Sequence, residues 1–483
     1  MEGQVAGAGG RGGGLSVSWD AKTGSLDLQT LAAFYDGGGE PTDVIEAVYD
    51  RLAARGEDAA WIAKVPREAA LAAARALSRD KRGAQPLWGV PFGVKDNFDL
   101  AGYETTHGCR ARATMATTTM PIVQGLIDAG AIPIGKNNMD QFGVGLNGTR
   151  TDYGIPRCVF DDRYISGGST SGGGVAVAAG VVSFALGGDA AGSGRVPAAL
   201  NNIVGLKPTP GTVPSTGIPS QAGMVGSHSL LTLNMADAIV ATEVLYGHDP
   251  NDPLSKPEGA TLQLAPSPPL PARFRFAVPD ASSRRFAGDA EAERLFDEAV
   301  ARLKSLGGEA VETDLEIYLA AAKELYEGPF IAQRTATLGP FMEAHGDKVF
   351  PATREIVSWG TKWSAMDLFK AQYAMAGVRQ KARALLREVA FLAVPTTPTT
   401  VTVEAMLADN IAQNAMLGTY TNFVNLLDLP AISVPAGFRA DGLPQGLMLI
   451  GPSLGDARLA AFAALYEQAT GLSMGATGAP LPA

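Results

Sequence analysis

The sequence contains few residues of the types that hold metals or form disulfides. It has two cysteines, Cys109 and Cys158, in 483 residues. Two cysteines in a chain of this length do not form a disulfide framework, which favours a reducing compartment. The four histidines stand singly, without metal-ligand spacing, so we expect no metal site. We expect each of them to be a surface or packing residue: His107, His228, His248 and His345.

Long apolar runs and an excess of positive charge are also absent. No run of 18 or more apolar residues occurs, and the first residues lack the apolar segment of a signal peptide. The formal net charge is −10, whereas nucleic acids and anionic membranes attract a basic surface. We therefore expect a cytoplasmic protein with no membrane partner and no nucleic-acid partner.

Apolar residues make up 46% of the chain and charged residues 18%, which is enough material for a large core. Strand-like and helical patterns alternate, and this alternation predicts an α/β fold. Helices are predicted at 26–35, 41–54 (with Thr42 as cap), 67–78, 121–129, 235–245, 291–306 and 457–470. Strands are predicted at 90–94, 132–134, 181–186, 274–278, 391–395, 431–434 and 446–450.

The ends of the chain differ from its body in composition. Residues 1–18 are rich in glycine, which predicts a disordered tail or a remnant of cloning. Residues 19–475 are predicted to form one domain, and 476–483 a second disordered tail.

The stretch 165–210 places two loops rich in glycine and hydroxyl groups, 167–174 and 187–195, around apolar residues. Glycine opens backbone angles that other residues avoid, so we expect 167–174 to form no regular element. A buried helix is predicted to follow, with Ser171 or a neighbour as its cap. The N–H groups of the second loop can point at a ligand. The alternative is two flexible surface loops, but such loops lack apolar runs between them.

Two stretches resemble nucleotide-binding motifs but lack features that those motifs require. Residues 130–137 are one residue short of a phosphate-binding loop, and Asn137 stands where a hydroxyl must reach magnesium. Residues 143–148 have dinucleotide spacing but follow no clear strand. We therefore expect no nucleotide cofactor.

Five blocks of the chain resemble the amidase signature family. They are GVPFGVKDN at 89–97, GKNNMDQ at 135–141, GGS at 167–169, DAAGSGR at 189–195 and GLKPT at 205–209, in the family's order. The resemblance implies an α/β amidase signature fold, a large mixed β-sheet sandwiched between α-helices. Its signature core would span about 87–217, and a helix-rich, cap-like region about 316–390. The alternative for the second region is ordinary core packing.

The resemblance implies that Ser193 is the nucleophile, that Ser169 is a bridging serine on a cis peptide with Gly168, and that Lys95 is the base. The residues themselves allow this chemistry. No histidine lies in the five blocks, and a lysine can act as a base where burial favours its neutral amine. Lys95 ends an apolar strand, although a lone lysine is otherwise a solvated surface charge.

By the same resemblance, the backbone N–H groups of Ala190, Ala191 and Gly192 meet the oxyanion. Asp189 and Arg195 are expected to hold the loop rather than to touch substrate. The implied reaction hydrolyses a C–N bond through an acyl-enzyme and requires neither a metal nor an organic cofactor. The expected partner is a small-molecule amide or carbamate, and the sequence leaves open whether the chain forms a homodimer.

Within the family, the segments 418–429 and 434–444 resemble most the amidase domain of allophanate hydrolases. Tyr326 and Arg334 match the tyrosine and arginine that grip the allophanate carboxylate in that group. Arginine suits a planar carboxylate because it forms two parallel hydrogen bonds. The alternative for Arg334 is a helix-surface position.

Three departures from that group affect the expected substrate. GMVG at 223–226 replaces Arg-Ser-Leu-Asp, GGDAAGS at 187–193 replaces Gly-Thr-Asp-Thr-Ala-Gly-Ser, and no further domain is expected after Leu472. A loop bearing methionine and glycine is more apolar and mobile, which favours bulkier amides or carbamates (urethanes). Three alternative functions to a broad amide or carbamate hydrolase remain open. They are a strict allophanate hydrolase, the amidase component of a transamidation complex, and a catalytically silent binding protein.

Overall fold

The structure is a computed structural model that describes residues 19–217 and 223–482. The tail expected at 1–18 lies outside the described residues. The helices are α1 Leu28–Asp36, α2 Pro41–Arg55, α3 Arg67–Ala76, α4 Pro121–Asp128, α5 Ser171–Ala178, α6 Arg195–Ala199, α7 Met235–Glu243, α8 Ala290–Ser305, α9 Glu316–Lys323, α10 Ala332–His345, α11 Pro351–Ser358, α12 Ala365–Glu388, α13 Val403–Ala408, α14 Asn410–Leu417, α15 Asn422–Leu426 and α16 Asp456–Gln468.

Eleven strands form one mixed sheet in the order β1-β5-β2-β6-β8-β7-β12-β13-β11-β9-β10, while β3 and β4 pair separately. Strands β5, β2 and β6 run parallel, and β8 returns antiparallel beside β6. The strands are β1 Trp61–Lys64, β2 Pro91–Lys95, β3 Glu104–Thr105, β4 Thr114–Met115, β5 Ile132–Asn137, β6 Phe184–Asp189, β7 Val204–Lys207, β8 Ser227–Thr232, β9 Phe274–Pro279, β10 Gly308–Thr313, β11 Leu392–Pro395, β12 Ala431–Phe438 and β13 Pro444–Ile450.

Helices cover both faces of this sheet, and the alternation of apolar side chains along β13 shows why. Leu447 and Leu449 belong to a buried cluster with α7, α8 and α16, whereas Met448 and Ile450 belong to a cluster with α9, α12 and α15. Successive side chains of a strand point to opposite faces, so a strand that is apolar throughout needs cover on both sides. The predicted mixed sheet between layers of helices is confirmed.

The glycine-rich stretch 167–174 contains the start of a helix, contrary to expectation. Helix α5 begins at Ser171, so three consecutive glycines lie in its first turns. A Cβ on Gly172 would sit 2.1 Å from the carbonyl oxygen of Ala60. Glycine is needed here for close packing against the residue that precedes β1 rather than for an irregular backbone.

Two other local predictions differ from the structure. The strand expected at 181–186 runs instead over Phe184–Asp189, because Val181 N–H still bonds to Ala176 at the end of α5. Helix α2 is capped by Glu40, whose side chain shares a capping box with Asp43, and not by Thr42.

The segment 476–482, expected to be a tail, packs against the body of the protein. The N–H of Ala476 donates to the Ala178 carbonyl, and the N–H of Met474 donates to the Ala479 carbonyl. Leu481 lies half-buried against the apolar cluster around α5. The expectation of a disordered tail is therefore wrong for 476–482.

The region 316–390 supplies α9 to α12 and contacts the segment that follows β5. Ile331, Leu338 and Ile356 of this region form one buried cluster with Phe142 and Val144. No helix among the described residues is long and apolar enough to cross a membrane.

Three buried carboxyl groups meet where α1, α7 and α16 come together. Asp237 accepts the N–H of Leu28 at 3.1 Å, and Glu467 accepts the N–H of Met235 at 2.9 Å. Burial raises the pKa of Glu467 to about 8. Burial, followed by the charge of Asp27, raises the pKa of Asp237 well above its ordinary value. The folded protein therefore holds protons here that the unfolded chain releases.

We predict that Glu467 contributes free energy of unfolding that is lost as pH rises from about 4.5, the ordinary pKa of glutamate, to about 8. Between these values the Glu467 carboxyl binds more protons in the folded state than in the unfolded state, so its contribution to the slope is negative. Glu467→Gln should remove this contribution, whereas the exposed Glu388→Gln should not. Urea titrations at pH 5.5 and 8.5 measure it, and an unchanged slope in Glu467→Gln would contradict the assignment.

Candidate active site

The carboxyl ends of β2 and β6 place two loops at the same edge of the sheet. Lys95 is the last residue of β2, and Asp189 is the last residue of β6. The antiparallel β8 begins at this edge with Ser227, opposite Asp189. In parallel sheets, ligands bind outside the carboxyl ends of strands, so the location suits an active site.

Lys95 and Ser169 contact each other directly. Lys95 Nζ donates to Ser169 Oγ at 2.8 Å, and both residues are buried. The Gly168–Ser169 peptide bond is cis. A Cβ on Gly168 would lie 2.2 Å from Asp140 Oδ2, so only glycine fits in front of that carboxylate.

Ser193 joins these two residues in one cavity. The carbonyl of Ser193 accepts the N–H of Thr170 at 3.2 Å, which connects the loop of Ser193 to the loop that carries Ser169. Lys95, Ser169 and Ser193 all line a cavity of about 370 Å³. The three residues that the sequence analysis assigned to the reaction thus share one cavity.

Burial shifts the titration of Lys95. Desolvation lowers the pKa of the Lys95 amine to about 7, and the nearby Arg334 lowers it further, while Asp140 and Asp189 oppose the change. A lysine with this pKa is substantially neutral at physiological pH, so it can accept a proton.

Asp189 and Arg195 form a fully buried ion pair at 2.7 Å. The same carboxylate accepts the N–H groups of Gly192 at 2.9 Å and Gly194 at 3.1 Å. These bonds connect the ion pair to the loop around Ser193, and Asp189 also lines the cavity.

One expected oxyanion donor is engaged elsewhere. The N–H of Gly192 donates to Asp189, so the expectation that it meets the oxyanion is not met here. Ala190 lines the cavity, whereas Ala191 is buried beside it. Sequence spacing places all three residues together but does not reveal the competing carboxylate.

The two residues expected to bind a carboxylate occupy different places. Arg334 lines the cavity of Ser193 and donates to the carbonyls of Phe142 and Gly143, each at 3.3 Å. Tyr326 lines a separate cavity of about 820 Å³. Its ring centre lies 5.8 Å from the Arg334 guanidinium, so Tyr326 supports the arginine from behind.

The loop 223–226 also reaches the cavity, through Gly223 and Gly226. Asn425 Nδ2 donates to two carbonyls, that of Asp189 at 2.7 Å and that of Val225 at 2.8 Å. The amide of Asn425 thereby connects this loop to the loop that begins at Asp189 and carries Ser193.

Sequence reasoning missed two residues at the site. Asp140 accepts three N–H groups, those of Asn147, Gly148 and Arg150, and its charge acts on Lys95. It lies inside a block that the family resemblance covers, so the block could have revealed it. His228, considered a surface or packing residue, is buried and lines the cavity, and no sequence signal indicated this.

Among residues 19–217 and 223–482, no group of three or more metal-ligating side chains could hold a metal ion.

We predict that kcat/KM rises with pH through a midpoint near 7, because only the neutral Lys95 amine accepts a proton. Lys95→Ala should abolish turnover while the far-ultraviolet circular dichroism stays unchanged. Lys207 provides a control, because burial also lowers its pKa to about 7 although it lies outside the cavity. Lys207→Gln should leave the midpoint in place. A rate that is flat between pH 6 and 8 would contradict the role of Lys95.

Comparison with known proteins agrees with this geometry. The family model described as Amidase matches residues 43–460. Urea amidolyase of Lachancea kluyveri is 41% identical over 415 residues, which are 85% of this chain and 22% of the relative. The chain thus spans about a fifth of the length of the urea amidolyases that it matches.

Two further relatives match over more of their own length. Kluyveromyces lactis allophanate hydrolase has a solved structure with a TM-score of 0.87 and 35% identity, covering 94% of this chain and 75% of that chain. A glutamyl-tRNA(Gln) amidotransferase component of Azoarcus sp. (strain BH72) is 32% identical, covering 87% of this chain and 93% of the relative.

Proposed function

Since the chain belongs to the amidase family, whose relatives here act on C–N bonds other than peptide bonds, we propose that Ser193 is its nucleophile. Lys95 and Ser169 form the proton relay in this proposal. The observation that carries it is the bond from Lys95 to Ser169 in the cavity that Ser193 lines.

The relay begins at the neutral amine of Lys95, which takes the proton of Ser169 Oγ. Ser169 takes the proton of Ser193 Oγ, and that oxygen attacks the carbonyl carbon of the substrate. The backbone N–H of Ala190, a residue that lines the cavity, supports the developing oxyanion in this proposal. The relay then reverses and protonates the leaving nitrogen.

The resulting acyl-enzyme is an ester of Ser193. Water attacks its carbonyl carbon while the same relay removes the water proton, and the acid product leaves with Ser193 restored. Every proton in this cycle moves between side chains of the cavity and the reactants, so the scheme requires no other group.

We predict that a fluorophosphonate labels Ser193 and that Ser193→Ala abolishes both labelling and turnover. The reagent phosphonylates an activated serine hydroxyl, and Ser193 is the serine for which the relay provides a base. Peptide mapping by mass spectrometry locates the label, with Ser171 on the adjoining helix as the internal control. A label on any other serine would contradict the assignment.

The substrate class is proposed from Arg334. This side chain is 6% exposed and lines the cavity, and no carboxylate among the described residues lies within ion-pair distance of it. A buried guanidinium with only two carbonyl acceptors favours an anionic ligand. We propose a small amide, urea-derived or carbamate substrate that carries a carboxylate, with allophanate as the first candidate.

The cavity has more room than a urea derivative needs. Its volume of about 370 Å³ lies in the range of pockets for drug-sized ligands. Glycines of the loop 223–226 contribute to its wall, so a carbamate with a larger substituent is included in the proposal.

We predict that Arg334→Ala lowers kcat/KM for allophanate by roughly ten- to a hundredfold, which corresponds to about 1.5–3 kcal/mol for a charged hydrogen-bonded pair. The kcat/KM of the same variant for a neutral aryl carbamate should decrease much less. Steady-state ammonia or amine release measures both. Arg354→Ala, on α11 and outside the cavity, serves as the matched control. Equal losses on both substrates would show that Arg334 is structural.

A second candidate is glutamine hydrolysis within a transamidation complex. The observation that favours it is that the match covers 93% of the Azoarcus amidotransferase component. Ammonia release from glutamine, compared with release from allophanate, distinguishes the two functions.

A further inference from the structure

Helix α12 leaves a row of large apolar side chains exposed. Met366, Phe369 and Tyr373 are 71%, 61% and 80% exposed, respectively. Their spacing of three and four residues places them on one face of the helix. We name these three residues the α12 stripe. Contiguous exposed apolar side chains of this kind mark surfaces that contact another molecule.

The α12 stripe points away from the body of the protein. The buried residues of the same helix are Met375, Ala382 and Leu386, which belong to the apolar cluster with α9 and α15. An α-helix turns by about 100° per residue, so these buried residues and the stripe lie on opposite faces. The body of the protein covers the first face and leaves the second open.

The second half of the open face carries small side chains instead of large ones. Ala376, Gly377 and Ala384 are all exposed. Within the part of the chain that the structure describes, no atom lies within 4 Å of a Cβ placed on Gly377, so no internal contact requires glycine there. Glycine inside a helix is less favourable than alanine. The small residues make this half of the face lower than the half that carries the stripe.

We propose that α12 pairs with α12 of a second copy of this chain, in antiparallel orientation about a two-fold axis at Tyr373. A two-fold interface brings the same surface of both copies together. With the axis at Tyr373, Phe369 of one copy lies opposite Gly377 of the other. The high half of each helix face thereby meets the low half of its partner.

The charges of α12 favour this orientation over a parallel one. The second half of the helix carries four basic residues and one acidic residue, Arg379, Lys381, Arg383, Arg387 and Glu388, whereas the first half carries Asp367 and Lys370. A parallel pair would place the two basic halves side by side. The antiparallel pair separates them and also places the helix dipoles in opposite directions.

The area of the α12 stripe suits a dimer interface. A large apolar side chain has about 200 Å² of surface, so the three residues present roughly 400 Å² per copy. A specific complex buries about 800 Å² on each partner. The stripe supplies about half of that area, and the rest of the open face of this 24-residue helix, about 36 Å long, is available for the remainder.

Sedimentation equilibrium tests the association. We expect the chain to be a dimer at micromolar concentration and Tyr373→Glu to raise Kd by about thirtyfold or more, as for a central interface residue. Gly377→Leu should also weaken the dimer, because its side chain occupies the space of Phe369 of the second copy. Leucine favours the helix in the monomer, so Tm measured below Kd should not decrease. The matched control is Leu407→Glu, on α13 and 48% exposed, which should leave Kd unchanged.

Introduced cysteines test the register of the two helices. Both native cysteines are buried, so oxidation reports the introduced ones. Phe369→Cys should form a disulfide-linked dimer when mixed with Gly377→Cys, because residues opposite each other bring their Cβ atoms close enough for a disulfide. Neither variant should cross-link alone. Lys381→Cys, one turn further along, should not cross-link with Phe369→Cys.

Hydrolysis per chain reports that each variant is folded, because none of the substituted residues lines the cavity of Ser193. Three outcomes would each overturn the proposal while the proposed function stands. They are a chain that stays monomeric, a dimer whose Kd is unchanged by Tyr373→Glu or Gly377→Leu, and cross-linking of Phe369→Cys that is as fast with Lys381→Cys as with Gly377→Cys.

Discussion

The ion pair between Asp189 and Arg195 is the interaction on which the site depends. Its two side chains are completely buried at 2.7 Å, and the carboxylate also accepts the N–H groups of Gly192 and Gly194. Burying an ion pair costs a desolvation free energy that the attraction between the two charges barely offsets. Removing one partner, however, lowers the stability of the protein by about 3–5 kcal/mol, because the other charge stays buried without a partner. The pair therefore acts as a fixed frame for the loop that presents Ser193.

The same burial sets the electrostatics of the cavity. Lys95 has no carboxylate in hydrogen-bond contact and bonds to a serine hydroxyl, so desolvation determines its pKa of about 7. Lys136, also buried, pairs with Asp96 at 3.1 Å. Burial lowers the pKa of Lys136 as well, but its ionic partner Asp96 opposes that change, whereas Lys95 has no carboxylate in contact.

The sequence predicted the fold class and the residues of the cavity well where ordered blocks and apolar periodicity coincide. Lys95, Ser169 and Ser193 are examples, since each stands at the end of an apolar element or in a matching block. Prediction was poorer where tertiary contacts override local composition. The glycines at the start of α5 were expected to have an irregular backbone, yet they are helical and Gly172 packs against Ala60. The burial of His228 depends on the long-range pairing of β8 with β6, whereas the bond from the Gly192 N–H to Asp189 spans only three residues within one loop.

The pair of hydrogen bonds from Asn425 to the Asp189 and Val225 carbonyls has a consequence for how this enzyme can change. Both acceptors are main-chain atoms, so the connection between the two loops does not depend on which side chains the loop 223–226 carries. Substitutions in that loop can alter the shape of the cavity wall while the link to the loop that carries Ser193 persists. Substrate range can therefore diverge without a new arrangement of the reacting groups, provided that the asparagine stays.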